Sequence, residues 1–172
     1  MRNRRRLLDA AREAFGEHGP DLSIEAIARG AGVGASTFYR HFPTKEELVS
    51  QLLDDLAEGA RAVAATAAEI PDDWEAFRVV FVRGCALDAA GLQLFDALCR
   101  TSAQAAEHGR RISAELIAPV AERARRGGSL RPDVTAKDVA AFMRMADSAP
   151  TGEQRRLAHD VMLAGLRRSA RP

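Results

Sequence analysis

Between Ser23 and Lys45 the chain gathers an unusual set of hydrogen-bond donors. Ser23, Ser36, Thr37, Tyr39, Arg40, His41, Thr44 and Lys45 bring hydroxyl, phenol, guanidinium, imidazole and ammonium groups into one short stretch. Their shared chemistry is donation to anionic oxygens and to the edges of nucleic-acid bases. The spacing supports that reading. Ser23 can cap a short helix carrying Ile24, Ile27 and Ala28 on one side, and Gly30-Ala31-Gly32-Val33-Gly34 breaks it. A second short helix runs from about Ala35 to His41 and is ended by Phe42-Pro43. Two short helices about a glycine turn read as a helix-turn-helix. Gly32 supplies the turn conformation and Val33 an apolar plug beneath it. Gly34, Ala35, Ser36, Thr37 and Arg40 would face base edges, while Thr37, Tyr39, His41 and Lys45 would hold phosphates. Phe38 and Phe42 are assigned to the core between them, so Tyr39 and Lys45 are expected to point outward.

The elements that must hold this stretch are all helical. Leu7, Leu8, Ala11, Ala14 and Phe15 recur at helical spacing until Gly19-Pro20. Thr44-Lys45-Glu46-Glu47 reads as a capping box, with the threonine hydroxyl on the Glu47 N–H and the Glu47 carboxylate returning to Thr44. Behind it Leu48, Leu52, Leu56, Ala60, Val63 and Ala67 form a stripe about five turns long or more. Pro71-Asp72-Asp73-Trp74-Glu75 starts a further helix through Phe77, Val80, Phe81, Gly84 and Cys85, and Gly91 is expected to break the pattern before Leu92, Phe95, Leu98 and Cys99. Ile112, Leu116, Val120 and Ala124 carry another helix, with a kink expected at Pro119 and a stop at Gly127-Gly128. Thr135-Ala136-Lys137-Asp138 opens a helix with Val139, Phe142, Met143 and Ala146; Thr151-Gly152-Glu153-Gln154, a second capping-box pattern, opens the last, with Leu157, Val161 and Leu166. No stretch alternates apolar and polar residues, so no strand is assigned, and no repeat or low-complexity linker is found.

Composition bounds the alternatives. The chain has 172 residues, 47% hydrophobic, 28% charged and only 5% aromatic. That balance is globular and favours helices. Lys and Arg number 25 against 24 Asp and Glu, a net +1, which excludes a globally basic coat. Residues 1 to 50 are equally balanced, eight basic against seven acidic, but Arg2, Arg4, Arg5 and Arg6 cluster as a flexible arm able to reach DNA backbone or minor groove. Cys85 and Cys99 lack a C-x-x-C spacing and read as small buried hydrophobes in a reducing compartment. No apolar run reaches membrane-spanning length, and charges interrupt any signal-peptide core near the N-terminus. Gly30-x-Gly32-x-Gly34 has neither the preceding strand nor the spacing of a dinucleotide loop. His18, His108 and His159 stand outside metal-ligand spacings and read as surface or satisfied structural histidines. No nucleophile–base pairing, metal spacing or cofactor loop is found, so an enzyme is not the expectation and no cofactor or metal is implied.

The runs Leu7-Leu8-Asp9-Ala10-Ala11-Arg12-Glu13-Ala14-Phe15, Gly19, Ser23-Ile24-Glu25-Ala26-Ile27-Ala28, Ala31-Gly32-Val33 and Thr37-Phe38-Tyr39-Arg40-His41-Phe42-Pro43-Thr44-Lys45-Glu46-Glu47-Leu48 resemble the N-terminal domain of the TetR family of transcriptional regulators. The likeness covers about residues 5 to 50 without gaps. The remainder matches only in helical layout, with Ser129-Leu130-Arg131-Pro132-Asp133-Val134-Thr135 resembling a loop that precedes the eighth helix of such proteins. The resemblance implies an all-α homodimer, and the cysteine usage is that expected of a cytoplasmic protein. Residues 1–48 would be the helix-turn-helix domain and 49–172 an effector-binding and dimerisation domain, with the last two helices of each subunit forming the interface. It implies a double-stranded DNA operator and a small-molecule effector, the protein being a repressor released from a palindromic site. By position, Ser23, Thr37, Tyr39, His41 and Lys45 match family phosphate contacts, and Gly34, Ala35, Ser36 and Arg40 match positions facing bases or adjoining backbone. Two departures stand out. Glu25 sits where some members place a base contact, and a carboxylate there is unfavourable unless it accepts from cytosine. Gly34 and Ala35 have little reach, so readout would lean on Arg40, methyl contacts and DNA shape.

An effector pocket between bundle helices is expected to draw on Leu56, Trp74, Phe77, Phe81, Phe95, Cys99, Phe142 and Met143, and Met145 is counted among the residues able to line it. The competing reading is a helical small-molecule-binding dimer with weak or lost operator specificity.

Overall fold

The computed structural model describes residues 2–19, 21–84, 87 and 89–168. Among them are nine helices and no strand: α1 (Arg2–His18), α2 (Ile24–Gly30), α3 (Ala35–His41), α4 (Lys45–Ala68), α5 (Asp73–Arg83), α6 (Ala89–Cys99), α7 (Ala103–Arg126), α8 (Ala136–Asp147) and α9 (Gly152–Leu166). The all-α expectation holds. The described chain forms two compact units, one of residues 1–56 with 90–111, the other of residues 57–89 with 112–172.

In the first unit, Leu7, Leu8, Ala11 and Phe15 of α1 are buried, as are Ile27 and Ala28 of α2, Phe38 of α3 and Leu48, Val49, Leu52 and Leu53 of α4. These apolar faces supply most of what holds the three short helices, since a seven-residue helix is not stable alone. Two sequence expectations are corrected here. The Arg2–Arg6 cluster is not a flexible arm but the first turns of α1. Leu7 and Leu8 are buried, so the segment is anchored and the helix extends back through the arginines. Gly91 does not precede α6 but lies in its first turn. A β-carbon at Gly109 of α7 would collide with the Cys99 sulfur, so that glycine lets α6 and α7 approach closely. Cys85 and Pro20 lie outside the described residues.

The second unit packs Phe77, Val80 and Phe81 of α5 against Ile117, Val120, Ala121 and Ala124 of α7, Val139 and Met143 of α8, and Leu163 and Leu166 of α9. The helical run of α7 continues through Pro119. It ends where Gly128 turns to φ +75° and the Ser129 and Leu130 N–H groups both donate to the Ala124 carbonyl, at 2.9 and 3.0 Å. Arg123 ties the α4–α5 connection to α7: its guanidinium donates to the carbonyls of Ile70 (2.5 Å) and Ala68 (3.3 Å) and pairs with Asp73 at 2.8 Å. The end of α9 is clipped to the α7–α8 loop, Arg131 N–H to Leu166 carbonyl (3.1 Å) and Arg168 N–H to Ser129 carbonyl (2.9 Å). No described helix is long and apolar enough to cross a membrane.

Candidate nucleic-acid interface

The turn between α2 and α3 is set by backbone chemistry. Gly32 N–H donates to the Arg29 carbonyl and Val33 N–H to the Ala28 carbonyl, both at 3.0 Å, with Gly32 at φ +65°. That double closure is a Schellman motif, and its left-handed position requires glycine. At the other end of α2, Ser23 caps the helix by accepting the Ala26 N–H at 3.2 Å. Phe42 takes an extended conformation (φ −137°) ahead of Pro43, which stops α3. Thr44 then caps α4, its Oγ1 accepting the Glu47 N–H at 3.1 Å.

These constraints fix what faces outward. Phe38 is fully buried and Phe42 nearly so, their rings 6.0 Å apart. On a seven-residue helix this turns Ala35, Ser36, Tyr39 and Arg40 to solvent. Tyr39 is 47% exposed, its ring held edge-on against Phe38 at 5.6 Å. Thr37 is half-buried and its Oγ1 accepts a hydrogen bond from Arg40 Nη2 at 3.2 Å. Gly34 has an ordinary extended backbone (φ −77°, ψ 155°), and a β-carbon there would meet nothing within 4 Å. The fold therefore does not require glycine at this position, and the start of α3 is left bare. Ser23 and Glu25 are exposed beside the turn, and His41 is half-buried.

Lys45 departs from the outward expectation. It is half-buried, with Nζ 5.6 Å from the centre of the Phe15 ring. Its charge rests on an aromatic face, an attraction of about 0.5–1 kcal/mol at exposed sites that outward movement gives up. Two arginines that the sequence placed on a free arm are instead held against the fold. Arg4 donates to Gln51 Oε1 at 2.6 Å and lies over the Phe42 ring at 5.1 Å. The Arg6 guanidinium lies 3.1 Å from where a Gly32 β-carbon would be, directly over the turn. Helical spacing carried the signal for Arg4: it stands three and four residues before Leu7 and Leu8, on the same stripe.

The expected pocket residues divide between the units. Leu56, Phe95 and Cys99 belong to the first, where Leu56 is buried and Phe95 and Cys99 are half-buried. In the second, Phe77, Phe81 and Met143 are core, with Trp74 and Phe142 packed against it. Trp74, Phe77 and Phe81 form a ladder of rings 5.4 and 5.9 Å apart. A cleft of about 450 Å³ in the second unit is lined by Val134, Phe142, Met162 and Leu166, with Arg131, Asp133 and Asp138 at its polar side. The Arg131 guanidinium, with a backbone hydrogen bond, holds the Asp133 carboxyl below its ordinary pKa. His159 is buried 3.2 Å from Asp147, and His108 sits 3.3 Å from Asp54, both structural placements; His18 is exposed. No cluster of three metal-ligating side chains is found among the described residues.

The helix-turn-helix segment, residues 7–52, matches the model of bacterial regulatory proteins of the tetR family. Over nearly the whole chain, the crystal structure of a TetR transcription regulatory protein from Mycobacterium vanbaalenii is similar at 32% identity, covering 97% of this chain and 96% of that one with a TM-score of 0.57. The chain belongs to the TetR family of transcriptional regulators. A curated relative, the HTH-type transcriptional regulator EthR of Mycobacterium tuberculosis, is 42% identical over 53 residues. That match takes in 31% of this chain and only 24% of EthR. The match thus spans about a quarter of the length of this relative. Salmonella enterica GusR has the same fold, with a TM-score of 0.72 at 23% identity over 95% of this chain and 94% of its own.

Proposed function

We propose that this TetR-family chain is a ligand-responsive, sequence-specific DNA-binding regulator, a repressor that leaves a palindromic operator when a small-molecule effector binds. Residues 1–48 serve as the DNA-binding part and 49–172 as the effector-binding and dimerisation part. Ser23, Tyr39, His41 and Lys45 lie on the phosphate side of the contact, Gly34, Ala35, Ser36 and Arg40 on the base side, and Thr37 where the two meet. The observation that carries this reading is the pair of buried rings, Phe38 and Phe42, which turns Ser36, Tyr39 and Arg40 outward together on a helix short enough for a major groove. The homodimer is supported by Met145, Leu157 and Val161, large apolar residues of α8 and α9 that are 59–62% exposed. Two such subunits place two copies of α3 on half-sites a helical turn or a multiple of it apart. An effector acts by binding one subunit arrangement better than the other.

A second reading, a helical small-molecule-binding dimer with weak or lost operator specificity, draws support from the bare start of α3 and from Lys45 turned onto Phe15. Enrichment of bound sites from random DNA decides between them. A regulator returns a palindromic site whose log affinity falls linearly with log salt. A folded dimer that enriches no sequence over bulk DNA at moderate salt refutes the first reading.

A further inference from the structure

We propose that Arg40 reads a guanine in each operator half-site and that Thr37 is its positioning residue rather than an independent phosphate contact. The inference rests on the DNA-binding reading above and names what the bare recognition helix recognises. Gly34 presents no side chain, Ala35 a methyl and Ser36 a short hydroxyl, and the Tyr39 ring is engaged edge-on by Phe38. Arg40 is therefore the outward group of α3 with both reach and several free donors. Among the described residues, its one side-chain hydrogen bond runs back to Thr37 Oγ1, one turn earlier on the same helix, at 3.2 Å. Thr37 and Arg40 thus form an i,i+3 pair. No described carboxylate pairs with Arg40. A neutral hydroxyl restricts the guanidinium without cancelling its charge, and it occupies one N–H of five. The remaining fork of donors matches the O6 and N7 acceptors that guanine presents in the major groove.

The test uses the full chain and its selected operator. Each guanine is replaced in turn by 7-deazaguanine, which lacks the N7 acceptor, and binding is measured for the native chain and for Arg40→Ala, Thr37→Val and Thr37→Ser. One guanine per half-site is expected to matter, its replacement weakening native binding roughly five- to a hundredfold. Arg40→Ala should be indifferent to that replacement. Thr37→Val, close in shape but without an acceptor, should lose most of the discrimination at that guanine alone; Thr37→Ser should keep it. Discrimination that survives Arg40→Ala overturns the proposal. So does a Thr37→Val variant that binds every sequence more weakly by one factor while guanine discrimination is intact, because that is the signature of a phosphate contact. A selection that enriches no site would instead refute the regulator reading itself, and this inference with it.

Discussion

The arginines of the helix-turn-helix and those of the second unit are held by different partners. Arg40 rests on a threonine hydroxyl, and Arg4 on a glutamine amide and an aromatic face. In the second unit Arg78 pairs with Glu75, Arg125 with Glu122 and Arg131 with Asp133, at 2.6, 2.9 and 2.6 Å. The first set keeps its net charge for something outside the chain. The second spends its charge locally, and the surface it leaves unsatisfied is apolar: Met145, Leu157 and Val161. The near-neutral total of the sequence conceals this division. A chain can have a net charge of +1 and still present an arginine with no described carboxylate partner, such as Arg40, where an anion would bind.

The largest break in this contrast comes from putting a charge on the apolar surface. Val161→Glu places two like carboxylates in the proposed homodimer interface, and dissociation should strengthen on the order of a hundredfold, about 2.7 kcal/mol. Val161 is 62% exposed in the single chain, so the subunit itself should stay folded. Sedimentation equilibrium alongside circular dichroism checks both. An intact dimer would remove α9 from the interface.

Arg123 tests the other side of the contrast, an arginine used entirely for structure. Its guanidinium joins the Ile70 and Ala68 carbonyls and Asp73. Removal in Arg123→Ala should cost about 1.5–3 kcal/mol of stability, the range for hydrogen bonds to charged groups. Denaturant titration measures this loss. The salt dependence of DNA binding should be unaltered, since none of that charge was exported.

Most of the framework was legible because punctuation residues act locally. Gly32, Ser23, Pro43, Thr44 and Asp72 set turns and caps close to themselves in the chain, so α2 begins and ends, α3 ends, and α4 and α5 begin where those residues require. The signature for a capping box was too narrow to spell out the closure at Thr135, where Asp138 replaces the longer Glu or Gln. The Arg2–Arg6 cluster was misread because charge density suggested a free tail, whereas Leu7 and Leu8 behind it anchor a helix. Pocket residues were not legible for a different reason. Phe77 and Phe81 recur at helical spacing whether they fill a core or line a cavity, and only their partners on α7, α8 and α9 decide. Likewise the spacing of Thr37 and Arg40 allows contact, but the side-chain partner is chosen in three dimensions.

Lys45 sharpens the contrast at the level of a single charge. It lies over Phe15 and must swing outward to meet a phosphate. If it does, Lys45→Ala should weaken specific and non-specific binding alike and reduce the slope of log affinity against log salt by about 0.9. Titrations at several salt concentrations read the slope directly. An unaltered slope means that Lys45 belongs with the arginines of the second unit, its charge spent within the fold.

The smallest effect concerns a carboxylate spent on a helix cap rather than on an arginine. Asp138 Oδ2 accepts from the Thr135 hydroxyl at 2.6 Å and from the Thr135 N–H at 2.9 Å. The hydroxyl bond, then the backbone bond, hold its carboxyl below the ordinary aspartate pKa. A carboxyl whose folded pKa is depressed contributes stability that is complete above the unfolded value, near 4, and is lost as pH falls through the folded one. Asp138→Asn should therefore lower Tm slightly at neutral pH, because the amide accepts more weakly and carries no charge to complement the start of α8. The difference from the native chain should shrink below pH 4 and vanish once the native carboxyl is protonated. Glu75, depressed by its own partner Arg78, is common to both chains and cancels from the comparison, whereas Asp133, whose like charge acts on Asp138, loses that neighbour in the variant. Thermal melts at matched pH would show this convergence. A difference in Tm that stays constant down to pH 2 would mean that the cap works through shape and hydrogen bonding alone, and that the charge of Asp138 is not consumed there.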